Sequence, residues 1–564
     1  MRALSHWQCA ITLALASNSL GGAVQKPNLV LPAGSEEHRD AVTKIFVDSY
    51  EAYRTFAFGH DDLSPQSKSF SDGRNGWGAT IVDALPTMVI MGLGVGPYPA
   101  TFTQESHSPE IIQDLFAEGL NFSRHIDFSK SQTSATVSLF ETTIRYLGGL
   151  LSAYELSGQK FPFCCKKQRT SLTRWRIIDT GTFKDNKIPF GFVDFTTNTP
   201  TVATISIASS GMLALEWSRL SKHAGNDKYR RPAEGALRQI AIQPTPLPGL
   251  AAQGMDPRTG QSIGGFVSWG GGSDSYFEYL IKYARLSNTD DPLFADTWAA
   301  AIDSSINNLL RTSTVGNFTY LADFDENKRI RHVGSHLACF NGSNWILGGK
   351  LLNNQTIVDI GLKLVDSCIN TYTSTATGIG PETFAYISDD GSFTGSSNGP
   401  SAAQLAFNAQ HGFYITRADY ILRPEVLESN FYAWRATGDI KYLDNAVAAI
   451  NSFNRFLRAT VGFAGINDVN NPNSTKIDDT QSFWFAEVLK YLYLTFDDPE
   501  HISLDDFVFN TEAQPFIAPQ AKATYGSGTI LGSKPFRAQG GQLPEISPNP
   551  TLPTPLKEII GPML

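Results

Sequence analysis

Charge is scarce in this 564-residue chain. Asp, Glu, Lys and Arg make up 18% of it, and the balance is acidic, −9 at pH 7. With no basic excess, it lacks the electrostatic footprint of a nucleic-acid or anionic-membrane binder. Long apolar runs are also lacking. The one candidate is WQCAITLALA at residues 7–16, which follows Arg2 and precedes small residues at 17 and 21–23. Such a run is too short to span a bilayer and reads as a secretory signal, with a cut placed approximately at 1–23. There are five cysteines. Cys9 lies in the signal, leaving Cys164, Cys165, Cys339 and Cys368, an even number compatible with disulfides in an oxidising lumen. Cys339 with Cys368 is one workable pair across a helical hairpin. The adjacent Cys164 and Cys165 receive no assignment.

Familiar metal and nucleotide signatures are missing too. The ten histidines form no HExxH. The GLGVG at 92–96 runs into Pro97 and opens no helix, which excludes a dinucleotide loop. Asp323, Asp325 and Asn327 imitate an EF-hand start, but Lys328 stands where glycine is needed and Gly334 where the closing Glu belongs. His60, Asp61 and Asp62 could touch a metal, but a solvated loop is the preferred reading.

What is present is aromatic and helical. Aromatics reach 11%, a composition compatible with a secreted carbohydrate-active enzyme. Five sequons, at Asn121, Asn317, Asn341, Asn354 and Asn473, agree with a secretory route, whether the ER/Golgi lumen or export. Helical spacing of apolar residues predicts helices over 36–53, 134–156, 211–224, 275–286, 292–310, 344–368, 424–436, 443–460 and 482–496. The first would be capped by Ser35. Short polar turns followed by an aromatic recur between helices. They suggest hairpins sharing one core, an α-solenoid or, if closed, an α/α barrel. Beyond Phe516 Pro, Gly and Ser dominate, and 517–564 reads as a mostly irregular or disordered tail without chemistry.

Three stretches carry candidate chemistry. In 420–442, Glu425 and Glu428 fall in the first turn of a helix opened by Pro424, behind Arg423. The helix dipole and the arginine there favour ionised carboxylates, as a general base requires. The ordinary alternative is plain helix-start chemistry. In 138–151, SLFETTIRYLGGLL, Glu141 and Arg145 share a face with Gly148, opposite Phe140, Ile144, Leu147 and Leu151. Two adjacent helical glycines, each costing about 1 kcal/mol against alanine, imply a close neighbour. A surface ion pair beside a packing glycine would look the same. In 268–279, SWGGGSDSYFEY, a glycine loop delivers Asp274 and Glu278 to a helix start. Asp274 or Ser275 would serve as its cap.

Together with DSYEAYRTFAFGHDDL from Asp48, NGWGATIVDAL from Asn75, HLACF from His336, TGIGPE from Thr377, SFWFAEVLKYLYL from Ser482 and VFNTEA from Val508, these stretches resemble glycoside hydrolase family 47, the class I α-1,2-mannosidases. The likeness covers about 36–516. It implies an all-α-dominated (αα)7 barrel plugged at one end by a small β-hairpin. It implies Ca2+ held by Thr511 with waters. It also implies an inverting mechanism, in which one carboxyl protonates the leaving oxygen and another activates water. Glu141 matches the family's proposed acid, Glu425 its base and Asp274 a third essential carboxylate whose role is argued. Arg145, Glu278, Arg423, Glu428, Phe483, Glu487 and Glu512 match positions that hold sugar or order the calcium waters. His336 belongs to a family motif of open role. Cys339 and Cys368 match the family's disulfide.

One tension follows, because Arg145 one turn from Glu141 opposes the raised pKa that a general acid needs. Four positions depart from the family pattern: Ser209 replaces an acid of the outer sugar subsites, and Pro86, Gln481 and Gln514 stand at three further family positions. Gly272 stands where the ER-type, branch-restricted members carry Arg, and a glycine there resembles the Golgi-type and secreted fungal enzymes. The expectation is a monomeric, inverting exo-α-1,2-mannosidase that removes several residues from high-mannose N-glycans. The alternative is a mannosidase-like glycan-binding protein of glycoprotein quality control with little turnover.

Overall fold

A computed structural model describes residues 22–93, 109–158, 187–529, 532 and 534–544, with side chains omitted over 109–114. The proposed signal cut, Cys164 and Cys165 lie outside them. One apolar core runs from Val24 to Tyr525 through nearly every helix. The helices pack as neighbours in sequence: Asp274–Ser287 on Leu293–Asn308, Asn341–Leu351 on Gln355–Thr373, Glu425–Thr437 on Lys441–Phe456. The N-terminal helix Ser35–Phe56 packs against Leu489–Thr495, the last helix, so the series meets itself. Burial of one face explains why each helix stays where its apolar stripe puts it.

Local chemistry sets the helix ends. Gly438 at φ +67° closes Glu425–Thr437, its N–H bonding to the Trp434 carbonyl at 2.7 Å. Ser35 is the first helical residue and not the expected cap. Gly34 takes that place in the left-handed region, and the Ser35 hydroxyl donates to Pro32 O. The expected helix over 344–368 is two, Asn341–Leu351 and Gln355–Thr373, because Asn354 caps the second by accepting from Ile357 N. Periodicity missed Ala79–Ile90, Pro109–Ser123, Arg230–Ala241 and Ala402–His411.

Small antiparallel sheets join the helices. Strands Ile205–Ser206, Gly254–Asp256 and Gln261–Ile263 form one of them. Phe507–Phe509 pairs with Pro515–Ile517, Val508 opposite Phe516, and the turn between them carries Asn510, Thr511 and Glu512. Asp325, rejected above as an EF-hand ligand, accepts from Asn327 N and Arg329 N, both at 2.9 Å, in the turn after strand Asp323–Phe324.

The described part of the tail is mostly irregular in backbone but tied to the body. Ser527 binds Asp296 through its N–H at 2.7 Å and its hydroxyl at 2.6 Å, and Gln539 bridges Ile263 in parallel. Two readings change. His60–Asp62 is not a solvated loop, since Asp61 and Asp62 are fully buried. Asp61 accepts from the N–H groups of Arg74, Gly76 and Ala79, and Asp62 pairs with Arg74. Asn341 is buried in a helix start, so a glycan there has no outlet. Asn121, Asn317, Asn354 and Asn473 are exposed.

Candidate active site

Ser138 ends strand Val137–Ser138 and caps the next turn, its hydroxyl accepting from Glu141 N at 3.2 Å. The chain then winds as a π-helix, Thr142–Leu147, before Gly148–Ser157 resumes α geometry. Single π-turns are costly and cluster at functional sites. The glycines answer the expected close neighbour. A Cβ on Gly148 would meet Asn510 Nδ2 at 2.6 Å, and one on Gly149 would meet Val82 O at 2.7 Å.

Within this turn Arg145 donates from Nε to Glu141 Oε2 at 2.7 Å. Its Nη1 reaches Ser482 Oγ at 3.1 Å, Asp83 Oδ2 at 3.3 Å, and also Glu512. Phe483 lies under the guanidinium, 5.7 Å from ring centre to Cζ. Arg74 Nε stands 3.6 Å from the same Glu141 oxygen. Burial alone would raise the Glu141 pKa, but the two arginines together outweigh it and hold the carboxyl below its ordinary value. In the tension read in the sequence, the two arginines favour the charged form.

Asp274 has the opposite setting. It opens helix Asp274–Ser287 two residues after Gly272, which turns at φ +88°. Ser273 takes the cap position, and the Asp274 carboxylate accepts from Ser275 N at 2.8 Å. Burial, with Glu278 and Glu425 nearby, pushes Asp274 up to about 7.

Glu425 begins its helix directly after Pro424, which sits at the cap position. The backbone is strained just before: Leu422, fully buried, takes φ +70°, a conformation costing roughly 1–3 kcal/mol for such a residue. Glu425 Oε2 faces His336 Nδ1 at 2.6 Å, and His336 Nε2 faces the Tyr372 hydroxyl at 2.8 Å. A carboxylate only accepts, so Nδ1 carries the proton toward it and Nε2 accepts from Tyr372. Arg423 donates from Nε to Glu382 at 2.7 Å and stands 4.0 Å from Glu425. His336, Tyr372 and Glu382 therefore fix the carboxylate and its arginine. Of these three, the sequence singled out only His336, and it assigned no role.

Further acids crowd the same interior. Glu278 pairs with Lys282. Glu428 accepts from Ser343 Oγ at 3.0 Å, and burial raises it to about 8 although Lys282 opposes this. That corrects the reading that the helix start keeps Glu428 ionised. Glu487, in a second π-turn Trp484–Val488, and Glu512 are both raised well above the ordinary value by burial, with neighbouring carboxylates adding to it. Thr511 stands at the tip of the hairpin, its hydroxyl 3.2 Å from Ser275 Oγ and its N–H bonded to Tyr279 OH at 3.2 Å. Tyr279 in turn donates to Glu216 at 2.7 Å. Among the described residues no three carboxylates, histidines or cysteines are grouped to grip an ion directly. A threonine hydroxyl and carbonyl backed by under-neutralised carboxylates suits a hard cation that keeps its waters.

The departures are locally satisfied. Gln481 accepts from Arg74 at 2.7 Å, and Gln514 accepts from Lys490 at 3.1 Å. Pro86 lies inside Ala79–Ile90, and Ser209 accepts from Ser206 at 3.0 Å. Cys339 and Cys368 are bonded to one another.

Three comparisons bear on this site. The model of glycosyl hydrolase family 47 matches residues 45–518. The chain is 38% identical over 500 residues to a mannosyl-oligosaccharide alpha-1,2-mannosidase 1B of Emericella nidulans, covering 86% of this chain and 93% of the relative. It is 38% identical over 501 residues to a mannosyl-oligosaccharide alpha-1,2-mannosidase of Coccidioides posadasii, covering 85% and 91%. A solved alpha-1,2-mannosidase from Trichoderma reesei superposes with a TM-score of 0.77 at 36% identity, covering 86% of this chain and 99% of that one.

Proposed function

This chain belongs to glycosyl hydrolase family 47, and from that premise we propose how its site works. It is an exo-α-1,2-mannosidase that trims terminal mannose from high-mannose glycans. We read its helix series as an (αα)7 barrel plugged by the Thr511 hairpin; the packing of first helix on last supports closure. Its relatives are consistent with a secretory-pathway enzyme.

The observation that carries the mechanism is the division of labour among three carboxyls, Glu425 buried and Glu141 and Asp274 half-buried. Glu425, held by His336 and faced by Arg423, is the general base, orienting a water toward the anomeric carbon. Asp274, raised to about 7, holds a proton near neutrality, as a general acid must. Arg145 and Arg74 hold the Glu141 carboxyl below its ordinary value, which favours its charged form. Glu141 orients the leaving oxygen, or a water that relays a proton from Asp274. Separate base and acid lead to inversion at the anomeric carbon. Thr511 would hold Ca2+ through its hydroxyl and carbonyl, with waters ordered by Glu278, Glu428, Glu487 and Glu512. When bound, the ion supplies a hard positive charge for two hydroxyls of the departing mannose. Gly272 leaves space where an arginine would clamp one branch, so several residues are removed.

The glycan-binding alternative is not favoured, because all three carboxyls are in place. The test is incubation with a nine-mannose N-glycan and with α-1,2- and α-1,3-linked mannose disaccharides, with and without EDTA. Mannose release from the first two only, abolished by EDTA and restored by Ca2+, is expected. Binding of the glycan without release would overturn the reading.

A further inference from the structure

The residues after Ala518 fall outside the family match, which ends there. Yet the described part of this tail is pinned to the body. Tyr525, buried, donates to Asn288 at 2.7 Å, and Lys534 Nζ reaches Ile242 O at 3.1 Å. Gln539 then joins the edge of strand Gln261–Ile263, donating from its N–H to Ser262 O at 2.9 Å and accepting from Gly264 N at 3.3 Å. Past it, Gly541 lies on Ile263, and Pro544 sits against Gly254, where a Cβ would come within 3.1 Å of it.

This strap closes one side of a cavity of about 550 Å3. Ligand pockets range over about 300–1,000 Å3. Gln539, Gly540, Gly541 and Gln542 line the tail side, and Phe140, Ser209, Asp256 and Arg258 are among the residues opposite. Two covalent or hydrogen-bonded links tie this cavity to the catalytic carboxyls. Phe140 is the residue before Glu141, and Ser138, also in the wall, caps Glu141. Ser209 belongs to the turn Ile207–Gly211, whose Ala208 N–H bonds to Gly272 O at 3.0 Å, two residues from Asp274. The lining offers hydroxyls, amides, an Asp–Arg pair and an aromatic ring. These are groups that bind sugar hydroxyls and the apolar face of a pyranose.

We propose that the C-terminal strap, residues 539–543, is the outer wall of a sugar subsite that holds mannose residues of the glycan beyond the scissile bond. It adds the Gln542 amide to the polar lining beside Ser209. The inference rests on the α-1,2-mannosidase reading and adds a specificity-determining segment to it. A two-sugar substrate ends at the scissile pair and does not reach the strap, whereas a nine-mannose glycan does.

The test uses the full chain and compares kcat/KM for the nine-mannose glycan with kcat/KM for α-1,2-mannobiose. Gly540→Trp puts an indole where a Cβ meets nothing within 4 Å, and Gln542→Ala removes one amide; both positions are exposed, so neither threatens folding. The ratio of glycan to disaccharide efficiency should fall roughly tenfold in Gly540→Trp, and less in Gln542→Ala, through KM of the glycan. A ratio unchanged within about twofold in both variants would overturn the proposal. A wild-type chain that cleaves neither substrate would fail the mannosidase reading itself, and the strap proposal would fall with it.

Discussion

At the scale of single residues, environment assigns what identity alone leaves open. Glu141, Asp274 and Glu425 are three carboxyls in one interior, yet two arginines lower the first and burial lifts the second. Activity should therefore have an alkaline limb. As pH rises through about 7 Asp274 loses its proton, and kcat should fall in a pH–rate profile. Arg145→Lys and Arg74→Lys would not shift that limb if Asp274 is its source. His336 is a positioning residue. His336→Phe leaves Glu425 free to rotate and should lower kcat by about a hundredfold, with KM little changed. The candidate carboxyls were legible in the sequence because their motifs are contiguous. Their protonation was not, since Arg74 and Glu141 are 67 positions apart along the chain and meet only on folding. His336 with Tyr372 and Arg423 with Glu382 were hidden for the same reason.

At the scale of elements, the π-turns are what apolar spacing could not reveal. A period near 3.6 marks 134–156 as one helix, but the chain there is a strand end, a short α-turn, a π-turn and an α-helix. The paired glycines were the readable trace of a close approach by Asn510 and Val82, not of the π-turn before them. Gly149→Val would press on the Val82 carbonyl and should cost about 1–3 kcal/mol in denaturant unfolding. The Cys339–Cys368 bond joins the turn behind His336 to the helix that carries Tyr372, closing a separation of 29 residues. Cys339→Ser with Cys368→Ser should lower stability by roughly 2–4 kcal/mol, read in the same unfolding experiment. The hairpin that presents Thr511 has short strands and little alternation, so its sequence signal was its motif and not its pattern.

At the scale of the whole molecule, crowded acids make stability depend on pH and on cations. Glu216, Glu428 and Asp62 are each raised to about 8 by burial, against an ordinary value near 4. The folded chain thus binds more protons than the unfolded one between these values. The stabilisation is full below the unfolded pKa and is lost as pH rises through the folded one. In EDTA the melting temperature should fall from pH 5 to pH 8, and Ca2+ should restore part of it. Saturation at 100 times Kd corresponds to about 2.7 kcal/mol. The helical class, the shared core and the helix-hairpin succession were legible from periodicity. The ordered strap was not, because Pro- and Gly-rich sequence without periodicity hides contacts made to other elements.

The central claim is that Glu425 and a separate proton donor act from opposite sides of the scissile bond. Proton NMR of the reaction on a nine-mannose glycan reads it directly, from the anomeric signal of the first mannose released. β-mannose appearing first, with the α form growing only by mutarotation, is the result this account predicts. α-mannose appearing first would mean retention through a covalent intermediate, and would contradict the roles given to Glu425 and Asp274.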